Sequence, residues 1–72
     1  MAILSTAAER LVQLGANIEI TAEAKYLAPV VEKFIQIAKA TGAHVTVHAD
    51  NYLAPTLERF AQIGGNSVTF KL

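Results

Sequence analysis

A chain of 72 residues with six acidic and six basic side chains carries no formal net charge at pH 7, and 53% of its residues are hydrophobic. Neutrality removes the field that holds nucleic acid or anionic lipid, and the lack of cysteine, with only two histidines, excludes a disulfide scaffold and a thiolate zinc site. A domain of this size buries only about 60% of its unfolded surface, so dense packing and self-association are the routes left to stability.

The amino-terminal residues 1–4 are apolar but lack a basic flank and run at once into Ser5 and Thr6, so no secretory signal is expected there. No apolar run approaches a membrane span, and a cytoplasmic protein with no membrane partner is expected. The first helix is predicted to open with a capping box, Thr6 followed three residues later by Glu9, and to stop at Gly15. An alternating run over residues 17–21 follows, with Ile18 and Ile20 on one side and Asn17, Glu19 and Thr21 on the other.

Residues 26–38 align without a gap on residues 3–15, and residues 52–64 align on both. In the second and third copies Pro29 and Pro55 stand where the first has Thr6, and a proline's fixed φ suits the first turn of a helix. These helices are predicted to run to Gly42 and Gly64. Their alternating runs are residues 44–48 and 67–71, which place Val45, Val47, Val68, Phe70 and Leu72 on one side. Polar His44, Thr46, His48, Ser67, Thr69 and Lys71 fall on the other.

The helical stripe consists of Ala8/Val31/Leu57, Leu11/Phe34/Phe60, Val12/Ile35/Ala61 and Leu14/Ile37/Ile63, and it is expected to face the sheet. Glu9/Glu32/Glu58, Arg10/Lys33/Arg59 and Gln13/Gln36/Gln62 fall on the solvent side, where neighbouring copies set opposite charges side by side. The predicted fold is a two-layer α/β domain of three helix–strand repeats, about 1–22, 23–48 and 49–72. Its helices cover one face of a three-stranded, mainly parallel sheet. Parallel sheets are usually covered on both faces; a polar open face is the mark of a stacked helix–strand array.

On that pattern the chain resembles the leucine-rich-repeat class of α/β solenoids, with 23 residues between the first two copies and 26 between the next two. The resemblance implies a protein-binding surface on the open sheet face. The segments around Pro29 and Pro55 also resemble the amino-terminal strand–helix–strand part of the histidine-containing phosphocarrier family. Tyr26 and Tyr52 stand where that family has its active histidine, so the resemblance does not imply phosphoryl carriage here.

Ligands of open α/β sheets gather at the carboxyl ends of the strands. That rim holds Lys25, Tyr26, His48, Asp50, Asn51, Tyr52 and Lys71, together with Glu23, and forms the candidate site for a small molecule or anion. His44 and His48 lie four residues apart on one strand, too far for one metal ion, and their expected lateral neighbours are Asn17, Ser67, Thr21 and Lys71. No nucleophile, base and orienting group converge, so neither a metal nor a cofactor nor catalysis is expected.

The last strand ends in Val68, Phe70 and Leu72 with no proline to blunt its edge. These three residues are the candidate interface. The expected protein is a non-enzymatic interaction or self-assembly module, a homodimer formed by a twofold pairing of third strands, with its polar sheet face open to a partner protein.

Overall fold

The computed structural model describes residues 4–72. Helix α1 spans Ser5–Gln13, strand β1 Ile18–Ile20, helix α2 Ala28–Thr41, strand β2 Val45–His48, helix α3 Ala54–Gly64 and strand β3 Val68–Lys71. Single 3-10 turns at Ala49–Asn51 and Gly65–Ser67 lead into α3 and β3. The three strands form one parallel sheet in the order β1-β2-β3, and the helices pack on one of its faces, as the alternating strands require. In register, Ile18, Val45 and Val68 lie side by side, as do Ile20, Val47 and Phe70.

The helix starts differ from expectation in one respect. Thr6 and Glu9 do not form a capping box: the cap of α1 is Leu4, in extended conformation and without a side-chain hydrogen bond. Leu27 and Leu53 cap α2 and α3 in the same way, so all three helices begin at equivalent residues and the prolines occupy the first turn of the latter two. Glu9 turns instead to Lys33 on α2, at 3.3 Å. A local capping signature is worth about 1 kcal/mol, and here the common backbone path of the three units overrides it.

The expected apolar stripe is complete only in the middle helix. Val31, Phe34 and Ile35 are buried and Ile37 half-buried on α2, whereas Leu11 and Leu14 of α1 are 44% and 68% exposed, and Ala61 of α3 is exposed. The reason is position: α2 has a helix on each side, while α1 and α3 have one each. The core consists of Val12, Ile20, Val31, Phe34, Ile35, Val45, Val47 and Phe60 with smaller residues between them.

Glycine terminates the helices, but not uniformly. Gly42 closes α2 in the left-handed region at φ 80°, where L side chains are strained. At the end of α3 this role falls to Gly65, with φ 53°, and not to Gly64. Gly64 remains within the helix and is buried; a Cβ there would lie 2.5 Å from Ile35 Cγ2 and 3.1 Å from Val68 Cγ1. The missing side chain is what lets α3 approach α2 and the start of β3. Gly64→Ala is therefore expected to lose about 1–2 kcal/mol, because overpacking of about 1–3 kcal/mol exceeds the helix-propensity gain of at most about 1 kcal/mol. A lower urea midpoint with an unchanged slope checks this, and a higher midpoint contradicts it.

Candidate functional site: the strand-end groove and the open sheet face

The rim expected from the sequence divides into two places. Lys25, Tyr26, Asp50, Asn51 and Tyr52 line an open groove of about 490 Å³ with Leu27 and Ala28, between the loops that follow β1 and β2. His48 and Lys71 lie instead on the open face of the sheet, where residue alternation along β2 and β3 puts them.

The groove is framed by its own polar groups. The Tyr52 hydroxyl donates to the Tyr26 carbonyl at 2.8 Å, and Asn51 Nδ2 donates to the Thr21 carbonyl at 3.0 Å. These bonds tie the second loop to the first. Both tyrosine rings stand edge-on to the phenylalanine of the helix that follows, Tyr26 to Phe34 at 5.4 Å and Tyr52 to Phe60 at 5.2 Å between centroids. They close the open end of the core, and burial pushes the Tyr52 phenol above the ordinary tyrosine range. Lys25 and Asp50 are the exposed ionic groups of the groove, one of each sign, so their charges do not single out an anion.

On the sheet face, His48 Nε2 meets Glu19 Oε2, and Lys71 Nζ approaches the same oxygen at 3.4 Å. A single carboxylate on β1 thus links all three strands. Its hydrogen bond with His48, followed by that with Lys71, holds the Glu19 carboxyl below the ordinary glutamate range. The imidazole of His44 bonds the Thr69 hydroxyl on β3. Both histidines therefore bond to diagonal partners and not to the lateral neighbours in register, which for His48 include Lys71. Glu19 lies outside the candidate residues because it is not a direct lateral neighbour of either histidine; an acid on the polar face of the adjacent strand, two residues before the lateral position of His48, is its signal in the sequence.

This cluster has one acid, one imidazole and one ammonium group, and no nucleophile aimed at a cavity. Among the described residues no group of three or more His, Cys, Asp or Glu side chains could hold a metal ion. Nor is any helix among them long and apolar enough to cross a membrane.

The expected interface residues all lie on or just beyond the β3 edge. Val68 and Phe70 are half-buried against the core, while Leu72 is fully exposed. Leu4, Leu27 and Leu53, the helix caps, are also more than two-thirds exposed. Comparison of the chain with protein-family models, curated proteins and solved structures finds no match.

Because the folded Glu19 carboxyl is depressed, its contribution to stability is present above the unfolded pKa and is lost as pH falls through the lower folded value. The carboxyl resonance of Glu19 should titrate below the ordinary range. His48→Ala should move that midpoint up, and Lys71→Ala should do so by a smaller amount. A wild-type midpoint at the ordinary value would contradict the cluster.

Proposed function

We propose that this chain is a non-enzymatic module that works by self-association through its exposed edge strand. The observation that carries the reading is β3: among the described residues it has β2 on one side and no strand on the other, and it is followed by the fully exposed Leu72. An unpaired edge offers a row of backbone donors and acceptors to another chain. Natural sheets blunt such edges with proline, bulges or inward-pointing charge, and Val68–Lys71 has no proline and directs its one charged side chain to the polar face. The helical flanks support the same reading, since Leu11 and Leu14 leave apolar surface at the other end of the layer. The strand-end groove, with one base and one acid, favours no particular ligand class as strongly.

Solution mass by light scattering tests this. The wild-type chain is expected to exceed the monomer mass at tens of micromolar, and Leu72→Lys to weaken association by about tenfold, or about 1.4 kcal/mol. Leu72 is fully exposed, so this variant leaves the monomer's core intact, and circular dichroism should be unchanged. Phe70→Lys should act more strongly, at some cost in stability. A folded wild-type monomer at every concentration contradicts the proposal.

A further inference from the structure

Given the self-association proposed above, we infer that copies stack head to tail: the open edge of β3 receives β1 of a second copy in parallel, and α3 packs against that copy's α1. The template is the pair of seams already inside the chain. At the first, Glu9 of α1 meets Lys33 of α2 at 3.3 Å; at the second, Glu32 of α2 meets Arg59 of α3 at 2.9 Å. In each seam the earlier helix supplies the glutamate, and the later helix supplies the base from the position just after its own glutamate. Among the described residues the two members left without an ion pair are Arg10, on the outer flank of α1, and Glu58, on the outer flank of α3. Moving the pattern on by one unit brings Glu58 of one copy to Arg10 of the next.

Three further features agree with that translation. First, the register of the sheet continues in phase: Ile18, Val45 and Val68 align within the chain, so Val68 would align with Ile18 of the next copy and Phe70 with Ile20. Second, the α1 positions equivalent to buried Phe34 and half-buried Ile37 are Leu11 and Leu14, which are exposed here and would be covered by the added helix. Third, the edges differ in sign. Strand β1 bears Glu19 as its charged residue and β3 bears Lys71, and although these two already meet across the sheet of one chain, Lys71 would also stand diagonal to Glu19 of the next copy, as His48 does to Glu19 within the chain. A twofold pairing of β3 with its own copy would bring like charges to one seam, and it would leave Arg10, Leu11, Leu14 and the β1 edge uncovered.

Exposed ion pairs contribute little affinity, so the apolar flanks and strand edges would supply most of it, while the charges decide which flank meets which. A heterologous contact of this kind does not stop at two copies; it closes into a ring or continues as a filament.

Charge reversal tests the geometry. Arg10→Glu and Glu58→Arg, both at exposed positions, should leave the circular dichroism of the monomer unchanged and each weaken association by about tenfold; Arg10 lies in the last turn of α1, so its reversal should also lower the melting point by a few degrees. The double variant R10E/E58R should recover to within about threefold of wild type. An equimolar mixture of the two single variants should recover as well, because each supplies the flank the other has inverted. Wild-type mass should rise beyond a dimer with concentration. Association that stops at a dimer, is weakened by Leu72→Lys and ignores both reversals would overturn head-to-tail stacking while leaving edge-strand self-association standing. A wild-type monomer throughout would overturn both.

Discussion

Everything in this structure depends on the pairing of β2 with both of its neighbours in parallel. Parallel strands demand a crossover between each pair, and α2 and α3 are those crossovers; because the strands run in the order β1-β2-β3, each new unit lies beside the last. Val45 and Val47 are consequently fully buried at the centre, and Val31, Phe34 and Ile35 above them are too. Enclosure is complete for the middle unit only. The outer units repeat its apolar pattern but lack a neighbour on one side, and that shortfall is the source of both the exposed leucines of α1 and the open edge of β3.

The alternation of helix and strand was legible because the two periods separate cleanly: period two through Val45–His48, spacings of three and four through residues 31–38. Pro29 and Pro55 marked two helix starts, and the parallel register followed from the matched strands. What could not be read were the places where one residue type has two uses. Gly64 ends α3 as expected, but its missing side chain serves the close approach of Ile35 and Val68, and the positive-φ turn is made by Gly65. Thr6 and Glu9 looked like a cap, yet Glu9 serves the seam with Lys33. The absent cap is a local signal outweighed by a contact between helices.

The candidate site was half legible for a similar reason. Lys25, Tyr26, Asp50, Asn51 and Tyr52 follow the strand ends in the sequence and line one groove in the structure. His48 and Lys71 were assigned to the same rim, but alternation points them over the open sheet toward Glu19. In the groove, the tyrosines serve the frame: their rings pack on Phe34 and Phe60, and the Tyr52 hydroxyl holds the preceding loop. The polar face and the groove are thus stabilised by bonds that run between units, as are the helix flanks. The same kind of contact recurs at every level, from the backbone ladder to the charges, and among the described residues it is left unfinished at the outer flank of α1 and the edge of β3.

The most direct measurement of that unfinished state is site-resolved amide hydrogen exchange at low and at high protein concentration. If the two ends of the sheet complete one another, amides of β1 and of β3 that exchange rapidly in dilute solution become protected together as concentration rises, while those of β2 hardly change. Concentration-independent exchange at both edges would contradict the account, and protection confined to β3 would replace head-to-tail stacking with a pairing of like edges.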